Sequence, residues 1–263
     1  MNQDFSWHWI RDHRRKKILE TEFPDAWVRI LERNVAHFRR LSEGGRRELS
    51  GMIQVFVAEK HWEGCGGLVL TDEIRVTVAA QACLMILALN HDLFPDVDSI
   101  FIYPSTVMTP ERPVGFFEMP QAPVRESVSI LGEAQMRGPV ILVWDAVLQT
   151  ARHPEKGHNV VYHEFAHKLD MLDGRVDGTP PLGSPEQYRS WVEVCSREFL
   201  RLRAITEKGE RTFLESYGAV NEAEFFAVIT EQFFGQPTGL KKHHPELYGV
   251  LSDFYQQDPA ELD

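Results

Sequence analysis

Apolar residues recur at spacings of three and four through residues 23–61. Trp27, Ile30, Leu31, Val35 and Phe38 form one stripe, and Leu49, Met52, Ile53, Phe56 and Val57 form a second. A period near 3.6 predicts amphipathic helices. Pro24 suits a first turn, and Gly44-Gly45 divides the stretch into a helical hairpin. Residues 72–89 carry little charge after Arg75 and predict a third, largely buried helix that ends at Asn90-His91-Asp92. The period then changes. Residues 99–103, 127–130 and 139–144 have the β-branched or alternating character of short strands, and five prolines between Pro104 and Arg125 predict irregular surface. Helical spacing returns over residues 159–172, 188–205, 221–234 and 246–255, with a Gly/Pro/Asp-rich loop at 174–185. Strands gathered between helical runs predict an α+β fold. Its organisation is a helical region over residues 1–95 packed on a second region over residues 96–263, the two forming one compact unit.

Composition narrows the class. A hydrophobic share of 43% is enough to build a real core. The formal net charge of −11 argues against binding to nucleic acid or anionic membranes. Arg14-Arg15-Lys16-Lys17 is a local exception, better read as a solvated helix start than as a nucleic-acid contact. Three scattered cysteines without a C-x-x-C pair exclude a disulfide framework and cysteine-based zinc chemistry. The N-terminus lacks the apolar core of a signal peptide, and the longest apolar run, 82–89, is far shorter than the ~20 residues that cross a bilayer. These features predict a cytoplasmic protein.

The sharpest chemical signal is His163-Glu164-Phe165-Ala166-His167. On a helix, histidines four apart share a face and can hold one ion. Glu164 lies about 100° round from His163, beside the ion, where it can move a proton as general base. Val160, Val161, Phe165, Ala166, Leu169 and Leu172 make the helix apolar, and Asn159 is a reasonable N-cap. A chance H-E-x-x-H inside such a helix would bury two histidines and a glutamate at a cost, which favours the metal.

Two histidines leave the ligand set incomplete, and no third histidine follows before His243. A carboxylate on a later helix fits better. Glu224 in Asn221-Glu-Ala-Glu224-Phe-Phe-Ala is the first candidate, although Asn221 to Glu224 also has capping-box form. Glu231, seven residues on, shares its face. Asp170 shares the face of the two histidines and either holds one through its second ring nitrogen or is a solvated helix-end carboxylate. Tyr217 could donate to an oxyanion, but spacing alone makes it a packed surface tyrosine.

These residues resemble a known family. His163-Glu-Phe-Ala-His-Lys-Leu-Asp170, Tyr217, Glu224-Phe-Phe-Ala-Val-Ile-Thr-Glu-Gln-Phe-Phe234 and Leu251-Ser-Asp-Phe-Tyr-Gln-Gln-Asp-Pro259 look like blocks of the Mlc titration factor A family. Ile102-Tyr-Pro104 and Gly138-Pro-Val-Ile-Leu-Val match too, so the likeness runs from about residue 50 onward. The resemblance implies a zincin-like metallopeptidase core similar to that of the anthrax lethal factor protease, with a small mixed sheet and an active-site helix. It further implies Zn2+ held by His163, His167 and Glu224, with Glu164 as general base and Tyr217 supporting the transition state on a peptide or protein substrate. Aminopeptidase and endopeptidase action are both left open. Enterobacterial members carry a further ligand histidine shortly before the Gly-Pro strand, whereas Pro123-Val-Arg-Glu126 has none. Such members also bind a glucose repressor, so a second role here would be binding a transcription factor of that type. The alternative to an enzyme is a non-catalytic regulator that sequesters such a factor.

Overall fold

The computed structural model describes residues 3–105 and 138–262, with side chains from residue 11 onward. In chain order the helices are α1 (Gln3–Leu19), α2 (Asp25–Asn34), α3 (Ala36–Arg40) and α4 (Glu43–Glu59). Strand β1 (His61–Gly64), helix α5 (Asp72–Met85) and strands β2 (Ser99–Tyr103) and β3 (Val140–Val143) follow. The chain closes with α6 (Trp144–Arg152), α7 (Val160–Asp170), α8 (Pro185–Glu207), α9 (Glu222–Gly235), α10 (Pro237–His243) and α11 (Pro245–Tyr255). The α+β class holds. Residues 106–137, which include the strand expected at 127–130 and the segment at 123–126, lie outside the described residues.

The described sheet has the order β1-β2-β3 and is parallel throughout, with His61 opposite Ser99 and Ile100 opposite Val140. A mixed sheet would need an antiparallel strand beyond these three, and the one further strand expected, at 127–130, lies outside the described residues. The structure also assigns a strand to residues 61–64, of which the periodicity takes His61 into the preceding helix and leaves the rest unassigned. The cause is local: His61-Trp62-Glu63-Gly64 is half exposed and has no apolar alternation to announce a strand. Parallel neighbours need a crossover, and α5 supplies it between β1 and β2.

Caps fix where the helices begin. The Ser42 hydroxyl accepts from Gly45 N at 3.1 Å, so Gly44-Gly45 forms the first turn of α4 rather than a break. Thr71, Asn159, Ser184 and Asn221 cap α5, α7, α8 and α9 in the same way. The basic run falls at the end of α1, not at a solvated start. Arg15 pairs with Glu59 at 2.6 Å and Asp92 at 2.5 Å, and Arg11 also reaches Asp92, fastening α1 to α4 and the segment after α5.

Helix α7 sits at the centre, packed against α5, α6, α9 and β3. Phe165 on its inner face meets Phe56 and Phe94 at ring separations of 5.9 and 4.7 Å, a cluster fully removed from water. Truncating one such ring typically costs about 3–5 kcal/mol. Beside this apolar core runs a buried polar line along α5. Arg152 donates to Asn34 Oδ1 at 2.7 Å, and Asn34 Nδ2 reaches Glu73 at 3.0 Å and Thr77 at 3.1 Å. Gln81 donates to Thr77 O at 3.1 Å. Buried amides stay only where their partners are present, and here the partners come from α2, α5 and α6. No described helix is long and apolar enough to cross a membrane.

Candidate metal centre

Asn159 sets the start of α7: its side-chain oxygen accepts from Val161 N at 3.0 Å and Tyr162 N at 3.1 Å. The helix therefore begins in a fixed register, with His163 and His167 one turn apart on the face towards α9. Asn221 does the same for α9 by accepting from Glu224 N at 2.9 Å. Only half of a capping box forms, because the Glu224 carboxylate turns away from the cap and towards the histidines.

His163 Nε2 and His167 Nε2 lie 3.2 Å apart, and Glu224 Oε2 lies 3.1 Å from the first and 3.6 Å from the second. Ligand atoms on a tetrahedral zinc at about 2.0–2.1 Å stand about 3.3–3.4 Å from one another. The three atoms already have that spacing. Glu224 Oε2 is buried without a well-directed hydrogen-bond partner, as expected of an oxygen meant for a cation. Among the described residues this is the one group of three or more His, Cys, Asp or Glu side chains able to share an ion. All three are at least nine-tenths buried.

The electrostatics point the same way. Burial works against a charged His163, but its bonds to Glu224 and Glu231 outweigh that and lift its pKa to about 10. Burial likewise pushes Glu224 up, and the two imidazoles overcome it, bringing the carboxyl down to about 2. Two anionic carboxylates around two imidazoles hold a place for positive charge. Glu164 behaves in the opposite sense: burial raises its pKa, only partly offset by His163 and His167. That favours proton exchange over permanent ionisation.

Tyr217 lies on a short 3-10 turn, Ser216–Ala219, packed against α8 and α9. Its ring centre is 6.0 Å from that of His163, so it stands at the site and is not a remote surface residue. Asp170 is a correction. It is fully buried, and its Oδ2 accepts from Gly178 N at 3.0 Å. It is neither a solvated helix end nor the partner of His163, whose second nitrogen is engaged elsewhere. Burial pushes the Asp170 pKa to about 6, with the Gly178 bond pulling it back. Gly178 itself has φ +74°, and a Cβ there would come within 2.3 Å of Glu222 O, so only glycine fits against the start of α9.

The group whose place the sequence did not show is Glu231. Seven residues after Glu224 and the alternative to it as third ligand, it lies outside the cluster of three and behind His163: its Oε1 meets His163 Nδ1 at 2.7 Å. Its Oε2 accepts from Asn159 N at 2.5 Å and lies 2.8 Å from His158 Nδ1. Asn159 Nδ2 in turn donates to Gln81 Oε1 at 2.7 Å, which joins the site to the polar line on α5. A glutamate at an i+7 position carries a detectable signal in the sequence. Gln81 and His158 carry none, being ordinary residues until the fold brings them together.

The profile of the glucose-regulated metallo-peptidase M90 family matches residues 8–256. The chain belongs to this family. Among curated relatives, an uncharacterized protein of Synechocystis sp. is 36% identical over 255 residues, covering 96% of this chain and 90% of that one. A protein of Serratia proteamaculans named Mlc titration factor A is 32% identical over 197 residues, covering 73% and 72%. A protein of the same name from Klebsiella pneumoniae is 28% identical over 262 residues, covering 98% and 93%. The family resemblance seen in the sequence is thereby established over residues 8–256, and membership implies a metal cofactor, which the His163–His167–Glu224 cluster fits.

Proposed function

We propose that this M90 family member is a zinc peptidase with His163, His167 and Glu224 as metal ligands, Glu164 as general base and Tyr217 as oxyanion donor. The observation that carries it is the convergence of three buried ligand atoms at 3.1–3.6 Å with Glu164 next in the chain. Bound at these ligands, zinc would supply Lewis-acid polarisation of a scissile carbonyl and acidify a water. The chain's own groups do the rest. The Glu164 carboxylate accepts a proton from the attacking water and returns it to the departing amine nitrogen, a transfer its raised pKa suits. The Tyr217 hydroxyl donates to the oxygen that gains charge as the carbonyl becomes tetrahedral. A cytoplasmic setting suits the three free cysteines. The choice between endo- and aminopeptidase action is left to the substrate assay.

The test is Glu164→Gln, with metal content measured by atomic absorption and cleavage followed by mass spectrometry on a peptide library. Losing a general base typically costs about 10²–10⁴-fold in rate. Retained zinc with a rate reduced on that scale is the expected result, and wild-type cleavage by the variant would sink the assignment.

The relatives' name, Mlc titration factor A, favours a second role in which this chain also binds a glucose-repressor-type transcription factor. Such binding needs no proton transfer. Capture of the repressor by Glu164→Gln as well as by wild type would make it an independent activity. Capture with no peptidase activity in the metal-loaded wild type would reduce the protein to a sequestering regulator.

A further inference from the structure

We infer that Glu231 is the positioning residue that aims His163 at the metal, and that it is itself braced from the helical N-terminal region through Asn159 and Gln81. This rests on the metal site proposed above. Glu231 is 2% exposed, and both of its oxygens are engaged, one by His163 Nδ1 and the other by the Asn159 amide and His158. A carboxylate on Nδ1 keeps the proton there, which leaves the Nε2 lone pair directed at the shared point with His167 Nε2 and Glu224 Oε2. The tautomer and the tilt of the ring are thus set by one group.

The same helix supplies ligand and brace. Glu224 and Glu231 are seven residues apart on α9, two turns or about 10 Å along the axis. Glu224 meets the Nε2 edge of the His163 ring while Glu231 meets the Nδ1 edge, so His163 is clamped between two carboxylates of one helix. The clamp is registered against α7 by the Asn159 amide and against α5 by Gln81, which holds the Asn159 side chain at 2.7 Å. Glutamine cannot replace Glu231. Turned one way, its amide nitrogen meets the donors at Asn159 and His158; turned the other way, it meets the His163 N–H.

A second buried pair is a matched control. Glu198 Oε2 lies 2.7 Å from His244 Nδ1, also buried, and joins α8 to the residue between α10 and α11, outside the His163–His167–Glu224 cluster. The experiment compares Glu231→Gln, Glu198→Gln and wild type, each as the full chain. Zinc affinity is read by chelator competition below the melting point, and the visible d–d bands of the cobalt-loaded protein report ligand geometry. Glu231→Gln should weaken zinc binding about 10–100-fold and alter the cobalt bands. Glu198→Gln should lower the melting temperature with neither readout changed. His158→Ala removes only the half-exposed brace and should cost about threefold in zinc affinity; it carries the test if Glu231→Gln does not fold. Zinc affinity and cobalt bands unmoved in the Glu231 or His158 variant overturn the proposal, as does equal weakening by Glu198→Gln. A wild-type protein that takes up no stoichiometric zinc would instead overturn the metal site together with its brace.

Discussion

Asn159 joins three helices, α5, α7 and α9, and replacing it offers a graded test of how the metal helix is held. Asn159→Ala removes the acceptor for Val161 N and Tyr162 N, a cap of about 1 kcal/mol. It also strips the partner from Gln81 Oε1, a buried amide oxygen whose orphaning costs about 1–3 kcal/mol. The backbone N–H to Glu231 survives the change, so that bond is not counted. The sum is about 2–4 kcal/mol, which in a domain of this size lowers the melting temperature by about 5–10 °C. Circular dichroism melts in excess EDTA isolate the effect from metal binding. Asn159→Asp separates the two contributions, because it keeps the cap oxygen but sets a carboxylate against Gln81 Oε1. Gln81 cannot turn its amide to help without giving up Thr77 O. Asn159→Asp should therefore melt well below wild type. A variant as stable as wild type would show that the link to α5 contributes nothing, and an unmoved Asn159→Ala would refute the ledger as a whole.

Two further outcomes follow from the site. The Asp170 pKa of about 6 lies above the 3.8 of the unfolded chain, so the folded state binds the proton more tightly between those values. Stability from this group is therefore lost as pH rises from about 4 to 6, amounting to about 3 kcal/mol at neutral pH. Asp170→Asn keeps an acceptor for Gly178 N, and in urea melts of the metal-free protein its stability relative to wild type should rise across that window; a pH-independent difference would contradict this. Metal present at 1,000 times its Kd stabilises by about 4 kcal/mol. EDTA should lower the wild-type melting temperature and leave Glu224→Ala unaffected, and a wild-type melt indifferent to EDTA would remove Glu224 and both histidines from the ligand set.

Much of the site was legible because local spacing carried it. His163 and His167 stand on one face by helical period alone, and Glu164 follows from the same period. Glu224 was harder, since the pattern that nominates it as a ligand also nominates it as a capping residue. Both are partly true, its N–H serving the cap and its carboxylate the histidines. Glu231 stands where Asp170 was expected, behind a histidine. A shared helix face places Asp170 near the histidines, but the end of α7 directs it to Gly178, while Glu231 reaches His163 across an interface that no single-helix argument describes. In the fold, α6 was missed because it is short and follows directly on a strand, and α10 because its seven residues begin in Gly235-Gln236-Pro237, which reads as a break. Strand β1 was missed because its residues are polar and half exposed.

The bonds that complete the site are all distant in sequence. His163 reaches Glu231 across 68 residues, Asn159 reaches Gln81 across 78, and Arg152 reaches Asn34 across 118. Contacts of that separation form late, after the loops between them have closed. A chain still emerging from synthesis, or cut before α9, carries His163, Glu164 and His167 yet lacks Glu224 and the clamp on His163. On the proposed assignment, a complete ligand set therefore waits for α9.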